Sequence, residues 1–336
     1  MPLAITLHRF GLGNLRPEHR PHEAVGEGMV RVSLKAVALN YRDVLVMRGT
    51  YDPGLVLPLI PCSDGAGVIV EVGANVEDLR PGDRVCTHMV PDWQDGPLEP
   101  QMRLATLGGP EQGVLSDERA LPRGAVVRIP EELAFEHAAC LPVAGLAAWR
   151  ALTEGHACDG RRVLLLGTGG VSMMALKIAE ALGARVAVIS SSDQKLARLR
   201  AMGAELTVNY RREPWAERVR EWSEGGVDIV LETGGERTLN QSIDATRDGG
   251  FIALLAAPTP GPLAVNLTEV LIRQIRVHGI FVASRAELDR YVAFVARHRI
   301  APVIDRVFNG LAAARHAFAH LVSGRHLGKV VIGIST

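Results

Sequence analysis

The chain has 336 residues, of which 47% are hydrophobic and 22% are charged, a composition typical of a globular protein of about two domains. The 37 basic and 37 acidic side chains give a formal net charge of zero, so the charge balance does not favour nucleic-acid or membrane-surface binding. We find no signal peptide and no apolar run as long as a membrane span. The four cysteines include no C-x-x-C pair, which argues against a disulfide framework. We therefore expect a cytoplasmic protein.

The first third of the chain is predicted to be rich in β-strands. Residues 29–38 alternate between apolar and polar side chains, the pattern of a half-buried strand. A second strand is predicted over 65–73, and a third opens within 82–85 after a Pro-Gly turn. A short helix is predicted over 41–47. The stretch 91–113 is rich in Pro, Gly, Asp and Gln, and a loop of this length inside a compact domain is usually functional or mobile.

A glycine-rich turn follows the apolar, branched run 162–166, which is typical of a buried strand. A helix is predicted over 171–182 and a second strand over 185–189, which completes a βαβ unit. Such a unit presents free backbone N–H groups and the positive end of a helix dipole to a pyrophosphate. The sequence therefore predicts a dinucleotide site, with a purely structural turn as the alternative.

The glycines of this turn match the first two positions of G-x-G-x-x-G. Gly167 and Gly169 stand where a tight turn and a close backbone approach are needed, and Ser172 replaces the third glycine. The predicted cofactor-binding residues of the turn are Gly167, Gly169, Gly170 and Val171.

Strands and helices are predicted to alternate in the rest of this region. The predicted strands are 206–210, 227–232, 251–255 and 275–281, and the predicted helices are 214–222, 238–247 and 268–273. Repeated βα units imply a parallel, doubly wound sheet that binds ligands at the carboxyl ends of its strands. A helix over 286–297, a strand over 303–307, a helix over 311–321 and a strand over 329–334 follow. This tail is no longer a regular βαβ repeat, and we expect it to rejoin the first domain.

Six segments resemble the medium-chain dehydrogenase/reductase superfamily, which includes alcohol dehydrogenases, and most of all its zinc-free, quinone-oxidoreductase-like branch. They are NYRD (40–43), GTY (49–51), GDRV (82–85), LPVAG (141–145), GTGGV (167–171) and GKVV (328–331). The resemblance covers essentially the whole chain and implies an α/β fold of two domains. They are a GroES-like β domain (1–128 and 283–336) and a Rossmann domain with a doubly wound parallel sheet (129–282).

The zinc ligands of other members of the superfamily are missing from this sequence. Where those members have Cys, this chain has Asn40; where they have Gly-His-Glu, it has Cys62-Ser63-Asp64; their third ligand would fall near Ala144. The stretch 91–113 also lacks the cysteines of a structural zinc site. Because tetrahedral zinc needs several thiolates or imidazoles, we predict no zinc. An unorthodox site of Asp64, Cys62 and His88 is the alternative.

The missing zinc narrows the predicted reaction. Without a Lewis acid to polarise an alcohol, hydride donation from NADPH to a quinone or a conjugated carbonyl is the predicted chemistry. The resemblance leaves two alternatives of the same fold, an enoyl-thioester reductase and an alcohol dehydrogenase. A third, of another class, is a non-enzymatic NADPH-binding or sensor protein.

Three polar residues of the first domain are the candidate catalytic groups. Tyr51 could donate to an enone oxygen or pass a proton, or could be a loop aromatic. Asn40 could offer its amide to the substrate or the nicotinamide, or could be a turn former. Asp43 could be an acid, or a charge at the start of a helix. The residues predicted to line the substrate site are Tyr41, His88 and Trp93, each with a structural alternative.

Polar residues after the second predicted strand indicate the nucleotide preference. Ser190 stands where an NAD-preferring site would have Asp or Glu. The hydroxyls of Ser190 and Ser191, together with Lys195, suit a 2′-phosphate, which favours NADPH. Alternatively, Ser191 and Gln194 form an S-x-x-Q capping box for the next helix.

Two further residues complete the predicted cofactor site. Tyr210 ends the third predicted strand of this domain and could pack beside the adenosine. Lys329 belongs to the Gly-Lys pair and would lie by the interdomain cleft; a solvated charge on a strand is its alternative.

The predicted partners are a small-molecule substrate and a second copy of the chain. The strand 275–281 is predicted to be the last of the Rossmann sheet and hence an edge. An exposed apolar edge invites pairing with its two-fold copy, so we predict a homodimer.

Overall fold

The computed structural model describes residues 1–52, 54–256 and 264–334. Backbone contacts divide the chain into two compact units. The first unit is Met1–Leu146 with the segment that begins at Ser284, and the second is Ala147–Ala283. The first unit therefore extends beyond residue 128, where the sequence predicts its end. No helix among the described residues is long and apolar enough to cross a membrane.

The described residues form fifteen strands and ten α-helices in chain order. The strands are β1 (Leu3–Leu7), β2 (Leu15–His19), β3 (Met29–Leu39), β4 (Asp64–Val72), β5 (Arg84–Thr87), β6 (Glu118–Pro122), β7 (Val126–Arg128), β8 (Arg162–Leu166), β9 (Arg185–Ser190), β10 (Leu206–Asn209), β11 (Val227–Glu232), β12 (Thr246–Leu254), β13 (Arg276–Gly279), β14 (Ile304–Asn309) and β15 (Lys329–Gly333). The helices are α1 (Tyr41–Arg48), α2 (Phe135–Ala138), α3 (Leu146–Glu154), α4 (Gly170–Ala181), α5 (Asp193–Ala201), α6 (Trp215–Trp222), α7 (Leu239–Ala245), α8 (Leu267–Ile272), α9 (Arg285–His298) and α10 (Ala314–Val322).

The sheet of the second unit is parallel throughout, in the order β10-β9-β8-β11-β12-β13. Its central strand β8 is a continuous apolar run whose residues Val163, Leu164 and Leu165 are fully buried, as expected for a strand inside a parallel sheet. The strand order reverses between β8 and β11, the arrangement in which ligands bind beyond the carboxyl ends of the strands. The predicted Rossmann-type sheet is confirmed.

The first unit contains a seven-stranded sheet in the order β14-β15-β3-β4-β5-β7, with β6 paired to β3, and a separate pair of β1 with β2. The long strand β3 alternates between half-buried and buried residues over most of its length. The C-terminal tail returns to this unit because β15 pairs antiparallel with β3, with Val330 opposite Leu39. That pairing brings Lys329, the first residue of β15, beside the end of β3.

Two predicted helices differ from the structure. The predicted helix 238–247 stops at Ala245, because Thr246 already pairs with Val227 at the start of β12. Strand pairing overrides the helical pattern there. The sequence also predicts that a helix starts over 130–133, but Glu131 and Glu132 form a turn, and helix α2 begins only at Phe135.

Helix α1 begins with a capping box between Asn40 and Asp43. The backbone N–H of Asn40 donates to Asp43 Oδ2 at 2.8 Å. The Asp43 carboxylate is fully buried, and its other oxygen lies 3.6 Å from the Arg42 guanidinium, without a hydrogen bond among the described residues. Burial raises the pKa of Asp43 to about 6, although Arg42 acts in the opposite direction. The predicted alternative for Asp43, a charge at the start of a helix, therefore describes its position.

The buried carboxyl of Asp43 should make stability depend on pH. Its pKa is about 6 in the folded state against an ordinary value of 3.8, so between about pH 4 and 6 the folded protein holds a proton that the unfolded chain releases. The free energy of unfolding should then fall as pH rises through this window, by about 3 kcal/mol from this group. Asn is a neutral side chain of the same shape. The free energy of unfolding of Asp43→Asn, relative to that of wild type, should therefore rise by about 3 kcal/mol between pH 4 and pH 7. Urea denaturation at several pH values measures it.

The exposed Asp52 provides a matched control for this comparison. Asp52→Asn is measured in the same way, so that the general effect of removing a surface carboxylate is separated from the effect at Asp43. Parallel profiles for Asp43→Asn and wild type would show that Asp43 is ionised at pH 4 in the folded state, contrary to our expectation.

Candidate active site

The turn between β8 and α4 carries the glycines predicted to bind a dinucleotide. Gly167 has a φ of +78°, a left-handed conformation that glycine adopts without strain. Gly169 is the N-cap of α4 and Gly170 its first residue, so no N-cap side chain satisfies the first N–H groups of this helix. A Cβ placed on Gly167 or Gly169 would meet no described atom within 4 Å. The turn therefore has donors and open space for a pyrophosphate.

The carbonyl of Leu166 anchors the base of this turn. It accepts a hydrogen bond from Ser172 Oγ at 2.8 Å and another from Thr233 Oγ1 at 2.9 Å. Ser172, which replaces the third glycine of the motif, is 2% exposed, and its hydroxyl is satisfied by this bond. Sequence reasoning did not identify Thr233, which follows the end of β11 directly; its only signal was a polar residue at the carboxyl end of the strand next to β8.

Ser190 and Tyr210 meet at the carboxyl ends of two neighbouring strands. Ser190 ends β9 and is paired in register with Asn209 at the end of β10. The backbone N–H of Tyr210 donates to the Ser190 carbonyl at 3.2 Å. Ser190 is buried, whereas Tyr210 is 45% exposed. Lys195 lies on α5 and is half-buried.

The predicted capping box of Ser191 with Gln194 is wrong. The N-cap of α5 is Ser192, whose Oγ accepts from the backbone N–H of Lys195. The backbone N–H of Ser192 also donates to Ser190 Oγ at 3.4 Å. This turn after β9 moves the start of the helix one residue along the chain.

In the first unit, four polar residues form what we call the Lys329 cluster: Asn40, Asp43, Asp64 and Lys329. Lys329 is 2% exposed, so its predicted alternative as a solvated strand charge is wrong. Its Nζ donates to the Leu39 carbonyl at 2.9 Å and to Asn40 Oδ1 at 2.6 Å. It also lies 3.8 Å from Asp64 Oδ2. The pairing of β15 with β3 thus places a buried ammonium beside Asn40.

The remaining polar atoms of the cluster are held by neighbouring groups, with two exceptions among the described residues, Asp43 Oδ1 and Asn40 Nδ2. Asp64 is fully buried, and its carboxylate accepts from Ser63 Oγ at 2.8 Å and from the backbone N–H of Val143 at 3.3 Å. Asn40 is 8% exposed, and its Nδ2 is buried with no hydrogen-bond partner among the described residues. The cluster therefore contains a buried amide donor that no described residue satisfies.

Cys62, next to this cluster, does not present a reactive thiolate. It is fully buried, and burial together with the nearby Asp43 and Asp64 raises the pKa of its thiol well above the ordinary value. A thiol that stays protonated is not a nucleophile.

Arg42 ties the long loop 91–113 to helix α1. Its guanidinium donates to the carbonyls of Leu107 and Gly109, each at 3.0 Å, and to Thr106 Oγ1 at 3.2 Å. The same guanidinium lies 4.9 Å from the centroid of the Tyr51 ring. Tyr51 is half-buried, so the predicted hydroxyl donor is held beside the loop by a cation–π contact.

The three residues predicted to line the substrate site differ in exposure. Tyr41 is 50% exposed at the first position of α1. His88 and Trp93 are buried, at 0% and 1% exposure, and the indole N–H of Trp93 donates to the Gly96 carbonyl at 2.9 Å. The structure therefore packs His88 and Trp93 inside the first unit, rather than at a solvent-filled mouth. For Trp93 the cause is its large, mostly apolar indole ring, which is most stable in a core.

Cavity volume does not identify the site. Two cavities in the first unit, of about 370 and 270 Å³, have linings that include none of the predicted site residues. The Lys329 cluster and the glycine turn are the candidate sites instead, because their polar groups, and not a large volume, distinguish them from the two cavities.

The donor set at the position of the missing zinc ligands does not suit zinc. It consists of an amide at Asn40, a hydroxyl at Ser63 and a methyl group at Ala144, where zinc needs thiolates or imidazoles. In the part of the chain that the structure describes, no three His, Cys, Asp or Glu side chains are grouped so that they could hold a metal ion.

Comparison with known proteins links both units to one family. The family models described as "Alcohol dehydrogenase GroES-like domain" and "Zinc-binding dehydrogenase" match residues 26–131 and 170–297. A "zinc-type alcohol dehydrogenase-like protein" of Schizosaccharomyces pombe is 38% identical over 334 residues, which are 96% of this chain and 96% of that protein.

Solved structures agree with these relatives. The crystal structure of a putative alcohol dehydrogenase from Sinorhizobium meliloti 1021 is 38% identical, with a TM-score of 0.93 over 99% of this chain and 98% of that chain. The Escherichia coli quinone oxidoreductase complexed with NADPH is similar in fold, with 23% identity and a TM-score of 0.81 over 98% of this chain and 99% of that chain. The predicted resemblance is confirmed, and the chain belongs to the medium-chain dehydrogenase/reductase superfamily of oxidoreductases.

Proposed function

We propose that this protein is an NADPH-dependent oxidoreductase that transfers a hydride to a quinone or a conjugated carbonyl without zinc. The observation that carries the proposal is the Lys329 cluster. It has a buried ammonium and an amide donor without a partner among the described residues, at the place where zinc-containing members of the family have metal ligands. This arrangement can bind the oxygen of an acceptor but offers no Lewis acid to an alcohol.

The residues of the first unit supply binding and polarisation of the acceptor. Bound NADPH supplies the hydride. The Nδ2 group of Asn40 donates a hydrogen bond to the acceptor's oxygen, where negative charge develops as hydride is added. The Tyr51 hydroxyl is the proposed proton donor, held by its contact with Arg42. Asp43 fixes the backbone of Asn40 and so positions this donor.

Alcohol dehydrogenation is the second candidate, because relatives at 38% identity carry that name. An alcohol must lose a proton as its hydride leaves. The groups of this cluster that would have to accept that proton are neutral or only weakly basic. We therefore place hydride transfer to a quinone or a conjugated carbonyl first.

The proposed preference for NADPH rests on the end of β9. Ser190 stands there in place of a carboxylate that would repel a 2′-phosphate. The next carboxylate along the chain, Asp193, is already engaged by Asn209 at 2.7 Å and by Arg212 at 2.9 Å. Lys195, on the first turn of α5, is the proposed partner of the phosphate.

The first prediction for this function is a specific set of activities. NADPH should be consumed with members of a panel of quinones and enones, and the rate should be unchanged in chelator because no zinc takes part. Elemental analysis of the purified protein should give no stoichiometric zinc. One zinc per chain, with activity lost when it is removed, would contradict the zinc-free proposal.

The same assay distinguishes the competing functions. Oxidation of simple alcohols with NADP⁺ or NAD⁺, and no turnover of quinones or enones, would favour the alcohol dehydrogenase. Turnover of enoyl thioesters alone would favour a thioester reductase. No turnover with any acceptor, while NADPH still binds, would favour a binding or sensor protein.

The second prediction concerns the choice of nicotinamide. A charge-assisted Lys–phosphate bond corresponds to roughly ten- to a hundredfold in affinity, so NADPH should bind more tightly than NADH. Lys195→Ala should narrow that gap with little effect on NADH, and Ser190→Asp should reverse the preference. Titration by nucleotide fluorescence measures both. Equal affinities for the two nucleotides, unchanged by either substitution, would overturn the assignment.

The third prediction is the homodimer. Strand β13 lies at the edge of its sheet and all four of its residues are exposed. Val277 on this strand is 41% exposed, and Leu271 and Ile272 of α8 are 77% and 65% exposed. Light scattering should give twice the chain mass of 36.1 kDa, and Val277→Lys should shift the population toward monomer. A monomer mass for the wild-type protein at micromolar concentration would refute the dimer.

A further inference from the structure

We propose that Lys329 is a positioning residue whose ammonium orients the Asn40 side chain, so that Asn40 Nδ2 faces the carbonyl oxygen of the substrate. The proposal rests on the proposed function, in which the hydride acceptor carries an oxygen. It replaces the direct cofactor contact predicted for Lys329 by an indirect role in substrate binding.

The chemistry of the contact fixes the orientation of the amide. The two ends of an Asn amide are hard to distinguish by shape alone. An ammonium, however, has three donors and no acceptor, so the atom of Asn40 that lies 2.6 Å from Lys329 Nζ must be the oxygen. The NH₂ group therefore points away from Lys329, and it finds no partner among the described residues.

An unsatisfied donor at such a place is unusual. Most buried polar groups have a hydrogen-bond partner, and an exception calls for an explanation. Asn40 is 8% exposed, so water has little access to the amide. Binding of a ligand oxygen would satisfy this donor, which the rest of the cluster leaves vacant.

Lys329 itself is held in place from several sides. Its Nζ donates to the Leu39 carbonyl, and the Asp64 carboxylate lies 3.8 Å away as the counter-charge. Asp64 is fixed in turn by Ser63 Oγ and the Val143 N–H. With two of its donors occupied and 2% of its surface exposed, Lys329 has little capacity left to bind a cofactor phosphate directly.

Binding of an unreactive carbonyl tests this without any turnover. Cyclohexanone is added to the enzyme–NADP⁺ complex, where no hydride is available, and its affinity is measured by NMR titration. Asn40→Asp keeps an oxygen for Lys329 and loses the donor, so we expect an affinity roughly tenfold weaker. Lys329→Met combined with Asp64→Asn removes both charges together, which avoids leaving one buried charge unpaired.

The combined variant should weaken cyclohexanone binding by roughly three- to tenfold when Asn40 is present, and should have no further effect in an Asn40→Ala background. The affinity for NADP⁺ should stay within about twofold throughout. In steady-state kinetics with an enone, kcat/KM for the enone should fall while KM for NADPH is maintained. Lys35→Met, on strand β3, is the matched control and should resemble wild type.

Three outcomes would overturn the proposal. The first is an equal loss of cyclohexanone affinity with and without Asn40, which would show that Lys329 acts independently of the amide. The second is a fall in NADP⁺ affinity alone, which would restore the direct cofactor contact. The third is a wild-type complex that reduces quinones but does not bind cyclohexanone more tightly than Asn40→Asp. The cyclohexanone affinities of the variants could be as expected while the wild type reduces none of the quinones or enones. In that case the proposed function fails and the role of Lys329 stands.

Discussion

The first unit depends on one buried charge, the ammonium of Lys329. A lysine at 2% exposure is tolerated only because a counter-charge and hydrogen-bond acceptors surround it. The last strand in the chain, β15, must therefore pair with β3 in the register that lets Lys329 reach Leu39 and Asn40. The same register connects the C-terminal segment to the N-cap of α1, so sheet pairing and the candidate active site are determined together.

The second unit depends on backbone groups rather than on charge. Its glycine turn between β8 and α4 is held at the Leu166 carbonyl by two hydroxyls from different elements. Ser172 can replace a glycine because the hydroxyl it adds finds this carbonyl. A side chain of similar volume at position 172 that lacks a hydrogen-bonding group would lose the hydrogen bond to the Leu166 carbonyl.

Periodicity and glycine spacing predicted the parallel sheet, the turn at Gly167 and most element bounds, because those signals are local. The start of α5 was predicted one residue too early, since the Ser190 hydroxyl builds an extra turn that pattern alone does not reveal. The burial of His88 and Trp93 and the bond between Lys329 and Asn40 depend on pairing between distant segments. Neither spacing nor composition encodes those contacts.

The way Arg42 holds the long loop has a consequence for how the family can diversify. Two of its three hydrogen bonds go to main-chain carbonyls, those of Leu107 and Gly109, which every residue type provides. Side chains between residues 94 and 105 can therefore be exchanged without loss of these hydrogen bonds from Arg42. The sequence of such a loop can therefore vary while its attachment to the scaffold stays unchanged.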